Sequence, residues 1–119
     1  MKNNKPSRGQ IWIYNPDPTK GHEQAKMRPC IIVSTNGFNH GPGELAVIVP
    51  ITSQYRKLSW LVEIKPPEGG LTKTSYALCN QIRTIALERL SNKPLGMITA
   101  ETMIALEERL RTLLELYSK

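Results

Sequence analysis

Three short stretches of the chain hold polar side chains that a hydrophobic core does not need: Gly21-His22-Glu23-Gln24 with Arg28-Pro29, then Thr52-Ser53-Gln54, then Asn80-Gln81-Ile82-Arg83-Thr84. Together they offer guanidinium groups, hydroxyls, an imidazole, a carboxylate and several amides, a set suited to gripping one anion from several sides. A guanidinium stays charged and its planar fork can hold two phosphate oxygens at once. A threonine hydroxyl adds a donor from a restricted rotamer, and a histidine titrates near neutral pH. Where the anion is an RNA phosphodiester, the substrate brings its own nucleophile, the ribose 2′-hydroxyl. An enzyme then has only to aid removal of that proton, protonate the departing 5′-oxygen and stabilise the crowded anionic phosphorane. Taken singly, each residue also has a plainer use: Thr52 can cap a turn, Arg28 can make a surface ion pair and His22 can sit idle in a loop.

A metal-dependent phosphodiesterase fits less well. Two-metal sites are assembled from several carboxylates, and Asp17 is the one aspartate in the sequence. Neither a metal nor a cofactor is expected. Cys30 and Cys79 lie in apolar segments at no metal-ligand spacing and read as buried reduced thiols, with the cytoplasm as the compartment that follows.

The elements that must position these residues are legible as strands and one helix. Gln10 to Asn15 is β-prone and is stopped by Asn15-Pro16-Asp17-Pro18. Thr19 to Met27 has neither period and reads as a loop. Arg28-Pro29 then launches Cys30 to Ser34, a β-branched run of the kind buried on both faces. Leu45 to Ile51 and Ser59 to Ile64 are further strands, Pro66-Pro67-Glu68-Gly69-Gly70 is a strong turn signal, Ser75 to Thr84 has strand character again, and Lys93 to Ile98 can close the sheet. After Ile98 the period becomes helical. Thr99 is a candidate N-cap with Glu101 in the first turn, and Met103, Leu106, Leu110, Leu113, Leu114 and Tyr117 make one stripe. The fold class is mainly β (α+β), a small antiparallel barrel covered by a C-terminal amphipathic helix. Each polar cluster lies at a strand end or in an adjoining loop, so one rim of such a barrel can gather all three.

With 119 residues the chain is one domain in size, residues 1–8 reading as a flexible basic arm and residues 9–119 as the domain. Hydrophobic residues at 39% and charged residues at 22% are ordinary globular values and argue against disorder. No apolar run is long enough to span a membrane, and no apolar core follows the basic start as in a secretion signal. The net charge of +6 is carried by the body and not the terminal helix: Lys2, Lys5, Arg8, Lys20, Lys26 and Arg28 precede Cys30 against only Asp17 and Glu23. That distribution suits a polyanionic partner.

The order and spacing of the motifs resemble the MazF/PemK family of toxin endoribonucleases, from Arg8 to about Leu116. Arg8-Gly9-Gln10-Ile11-Trp12 is similar to that family's opening strand, and Asp17 to Gln24 with Arg28-Pro29 to its signature loop. Val49-Pro50-Ile51-Thr52-Ser53 resembles its central strand, and Cys79 to Ile85 with Arg89-Leu90 its late strand and short helical turn. The resemblance implies an SH3-like barrel of the MazF/PemK/CcdB type and a homodimer. It implies metal-independent, sequence-specific cleavage of single-stranded messenger RNA, leaving a 2′,3′-cyclic phosphate and stopping translation. It implies Arg28 and Thr52 as the central catalytic pair, with His22 and Glu23 as further catalytic candidates and Gln24, Ser53, Gln54, Asn80, Gln81 and Arg83 toward the substrate. A cognate acidic antitoxin is implied too, with DNA binding by the toxin–antitoxin complex. Some members carry an acidic residue where this chain has Asn80 and a basic one where it has Leu78, so no late-strand carboxylate is available here as a base.

Two other readings come from different classes. One is a non-catalytic nucleic-acid-binding barrel with Trp12, Tyr14, Tyr55 or Trp60 as stacking platforms. The other is a CcdB-like toxin that acts on gyrase by protein contact.

Overall fold

In a computed structural model of the chain, residues 5–16 and 27–116 are described. Among them seven strands form one antiparallel sheet: β1 (Gln10–Tyr14), β2 (Arg28–Ile32), β3 (Leu45–Thr52), β4 (Leu61–Ile64), β5 (Ser75–Leu78), β6 (Arg83–Ala86) and β7 (Gly96–Met97). A one-turn helix α1 (Asn36–Asn39) joins β2 to β3, and α2 (Ala100–Leu114) ends the described chain. The spatial order is β4-β5-β3-β2-β1-β7, with β6 also paired to β3. The expected antiparallel β fold with a terminal helix is what forms, as a curled half-barrel.

β3 organises the sheet because one of its edges serves two partners. Leu45 to Ile48 pair with Ala86 to Arg83 of β6, and Ile51 and Thr52 pair with Ala77 and Tyr76 of β5. Pro50, which has no N–H to give a ladder, falls where the partners change. Here the expectation of one strand-like stretch from Ser75 to Thr84 is corrected. Were β5 to continue in register, Asn80 would face Ile48; Arg83 stands there instead, because a 3₁₀ turn of three residues, Cys79–Gln81, interrupts the strand. The turn buries Cys79 and pushes Asn80 and Gln81 outward.

The central strands are apolar on both faces, and each face has its own cluster. Ile11, Ile31, Val33, Val49 and Ile51 point to one side, where β4, β5 and α2 add Val62, Ile64, Ala77 and Leu106. Trp12, Tyr14, Cys30, Ile32, Ala46 and Ile48 point to the other, closed by Ile85 and Leu90. Alternation of successive side chains produces this division, and it explains why β2 reads as an unbroken apolar run.

α2 begins as the capping rule expects, with the Thr99 hydroxyl accepting from the Thr102 amide at 3.1 Å. Glu68, from the turn before β5, accepts from the Thr99 amide at 2.9 Å and from its hydroxyl at 3.2 Å, which ties the helix start to the sheet. The stripe covers the core only in its first half. Leu106 is wholly buried and Met103 and Leu110 pack beside it, but Leu113 and Leu114 are 43% and 49% exposed; Tyr117 lies outside the described residues.

Residues 6–8, expected within a flexible arm, are held in place. Pro6 is fully buried, and His40 Nε2 lies 2.8 Å from the Pro6 carbonyl oxygen. Arg8 donates to the Val33 carbonyl and pairs with Glu107 of α2 at 2.5 Å. These bonds fasten the chain from Pro6 to Arg8 to His40, to the residue after β2 and to α2.

Candidate active site

The end of β3 next to β2 brings the first two polar clusters together. The observed β2–β3 pairing ends at Cys30↔Pro50, with Arg28 two residues before Cys30 and Thr52 two residues after Pro50, and both line one cleft. Arg28 faces Tyr14 of β1, and Thr52 faces Tyr76 of β5. Directly opposed residues of antiparallel strands share a face, with Cβ atoms roughly 4.5–5.5 Å apart. Tyr14 with Arg28 and Thr52 with Tyr76 therefore form two facing pairs, on the face that carries Trp12, Cys30, Ile32 and Ile48 farther along the strands. At this end of the sheet that face turns from apolar to polar.

A cleft of about 770 Å³ opens over Tyr14, Arg28 and Thr52. The expected residues Arg28, Thr52, Ser53, Gln54, Asn80, Gln81 and Arg83 all line it. His22, Glu23 and Gln24 lie outside the described residues. The turn after β5 is what delivers Asn80 and Gln81, while Arg83 opens β6 opposite Ile48. The other lining residues include Tyr14, Pro16, Arg56 and Leu78. Among the described lining residues the charged groups are arginines, Arg28, Arg56 and Arg83, and none is acidic. Such a wall attracts anions and holds them by charge-assisted hydrogen bonds.

Local bonding fixes the donors. The Thr52 hydroxyl accepts from the Gln54 amide at 3.1 Å, a short turn that ends β3 and leaves the hydroxyl proton to be given elsewhere. The plainer expectation for Thr52, a turn cap, is thus fulfilled by the oxygen's lone pair and does not consume its proton. Arg28 is exposed, and among the described residues no carboxylate pairs with it. Arg89 donates from Nε to the Asn15 carbonyl at 2.8 Å and from Nη2 to the Pro16 carbonyl, pinning the chain where it leaves β1.

Tyr14 is nearly buried, its ring within the apolar cluster and its side chain reaching the cleft wall. Burial, with a smaller contribution from Cys30, raises its hydroxyl above the ordinary tyrosine value, while Arg83, Arg28 and Arg89 pull it the other way. It therefore stays protonated at neutral pH. Beyond Thr52, the Tyr55 ring stands edge-on to Tyr76 with centroids 5.4 Å apart and is 67% exposed. The sequence reading did not place Tyr14 or Arg56 beside Arg28 and Thr52. Strand alternation was the available signal for Tyr14, but only the β1–β2 register says which partner it faces.

A family model described as PemK-like, MazF-like toxin of type II toxin-antitoxin system matches residues 7–114. The chain belongs to this family. It is 34% identical over 116 residues to Endoribonuclease MazF9 of Mycobacterium tuberculosis, covering 93% of this chain and 98% of that protein. To Endoribonuclease PemK of Escherichia coli it is 36% identical over 111 residues, 90% of this chain and 80% of that one. A solved mycobacterial endoribonuclease in complex with its cognate antitoxin superposes with a TM-score of 0.77 at 27% identity, covering 96% of this chain and 99% of the other. The MazF/PemK membership expected from the motifs is thereby established, and with it the fold type.

Proposed function

We propose that this toxin-family member is a sequence-specific endoribonuclease that cuts single-stranded messenger RNA without a metal and so inhibits translation. The observation that carries this reading is that Arg28 and Thr52 line one cleft whose charged walls are arginines. The ribose 2′-oxygen attacks phosphorus, the bond to the 5′-oxygen breaks, and the products end in a 2′,3′-cyclic phosphate and a 5′-hydroxyl. Arg28 holds the phosphate oxygens as charge builds on them, and Thr52 gives one further hydrogen bond. Asn80 is an amide and cannot act as a base. Its place in the wall suits contact with substrate, as do those of Ser53, Gln54, Gln81 and Arg83, with Gln24 added by its motif; His22 and Glu23 are the candidates for moving protons.

The relatives' endoribonuclease names support the reaction, and the antitoxin-bound relative supports a partner. That partner is an acidic antitoxin, first disordered and folding on the basic surface, whose complex with the toxin binds DNA. The exposed apolar residues at and just past the end of α2, Leu113, Leu114 and Leu116, suit a protein interface, and a homodimer is part of the reading.

The test is to incubate the pure protein with a long RNA in EDTA and to map the cut ends. Cuts at one short motif with cyclic phosphate termini are expected, and a DNA or 2′-deoxy copy should stay intact. Intact RNA, or cleavage only after magnesium is restored, would overturn the proposal.

A further inference from the structure

Tyr14 has a combination of features that packing does not require. Its ring is fixed among Trp12, Cys30 and Ile32, its position is directly across from Arg28, and its side chain forms part of the cleft wall beside Thr52 and Arg83. A phenylalanine would fill the same apolar space. Among the described residues no hydrogen bond engages the Tyr14 hydroxyl. Its protonated state leaves it a donor, and the rigid ring fixes where that donor points.

Resting on the ribonuclease reading above, we infer that the Tyr14 hydroxyl is a third catalytic donor, giving a hydrogen bond to a non-bridging oxygen of the reacting phosphate alongside Arg28 and Thr52. As the 2′-oxygen bonds to phosphorus it gives up one proton, and as the phosphorus–5′-oxygen bond breaks the departing oxygen takes one up, so the cleavage is proton-neutral. Tyr14 keeps its own proton throughout. Its bond strengthens as negative charge moves onto the phosphate oxygens, so its effect belongs to the transition state more than to substrate binding. Donors of this kind, fixed before the reaction, are worth about 100- to 1,000-fold in rate when removed singly.

Tyr14→Phe deletes the oxygen alone and keeps the ring. The experiment compares its single-turnover cleavage of a short RNA with that of the parent, its affinity for the 2′-deoxy copy of that RNA, and its melting temperature. The expected result is a rate lower by about 100- to 1,000-fold, with affinity and melting temperature unchanged. A second measurement uses substrates with sulfur in place of one or the other non-bridging oxygen. The parent should be slowed by sulfur at the position Tyr14 bonds, and Tyr14→Phe should lose that difference between the two diastereomers.

A variant that cleaves as fast as the parent overturns the inference and leaves the ribonuclease reading standing. So does a rate loss matched by an equal loss of affinity for the deoxy copy, or an undiminished sulfur effect. If Tyr14→Phe fails to fold, the hydroxyl is structural and the inference falls. A parent protein that cuts no RNA removes both readings.

Discussion

Arg28 and Thr52 line one cleft because β2 starts where β3 ends, and in the proposed reaction one phosphate touches both. The guanidinium supplies charge and the hydroxyl supplies direction, so neither substitutes for the other. Single-turnover assays on Arg28→Ala and Thr52→Ala should each show a loss of about 100- to 1,000-fold. Both variants should keep the parent's melting temperature, since Arg28 is exposed and the Thr52 oxygen helps close only a short turn. A variant retaining the full rate would remove that residue from the site. The types of these two residues were readable in the sequence, as were the amides of Asn80 and Gln81. Tyr14 was not readable as their neighbour, because its role follows from a cross-strand pairing and not from any local spacing.

Two features of single elements control the geometry. The first is the turn Cys79–Gln81, which absorbs three residues between β5 and β6 and thereby turns two amides into the cleft. The second is the start of α2, where Thr99 caps the helix and Glu68 grips Thr99 from the turn before β5. Thr99→Ala should lower stability by about 1 kcal/mol in denaturant unfolding. Glu101→Ala, whose side chain is exposed in the same turn, should change it less. Equal effects would show that the cap bond contributes nothing. Thr99 was recognisable as a cap because capping is local. The grip of Glu68 was not, since it crosses 31 residues of sequence, and the break in the Ser75 to Thr84 stretch was hidden because Asn80 is a lone turn-favouring residue inside it.

At the scale of the whole molecule, charge and burial make separate predictions. Contacts from Arg28, Arg56 and Arg83 to a single-stranded RNA should give a slope of log affinity against log salt of about −2, from about −0.7 for each neutralised phosphate. Arg56→Ala should flatten that slope by about 0.7; an unchanged slope would place Arg56 outside the binding surface. Burial also governs the thiols, pushing Cys30 from 9.0 up to about 12 against the opposing hydrogen bond from Trp12, and Cys79 up to about 11 against the influence of Arg109. Both folded values lie above the unfolded one, so the native state holds protons that the unfolded chain releases. The thiols' contribution to stability is therefore constant below about pH 9 and is lost from there toward pH 11–12. Denaturant titrations across that range check it, and thiol reagents at neutral pH should leave the native protein unmodified.

The amino-acid sequence alone determined what depends on neighbours along the chain: which runs are strands, where the period turns helical, which residue caps α2, and which polar side chains a core would not keep. Its ordered motifs also carried the MazF/PemK resemblance. Tertiary structure alone decided how β3 divides one edge between β5 and β6, that Arg28 faces Tyr14 and shares a cleft with Thr52, that Pro6 to Arg8 are fastened down, and how much of the α2 stripe is covered. The physical reason is common to these: strand register and helix docking are fixed by contacts between residues far apart in sequence, and such contacts leave no periodic trace in the residues that make them.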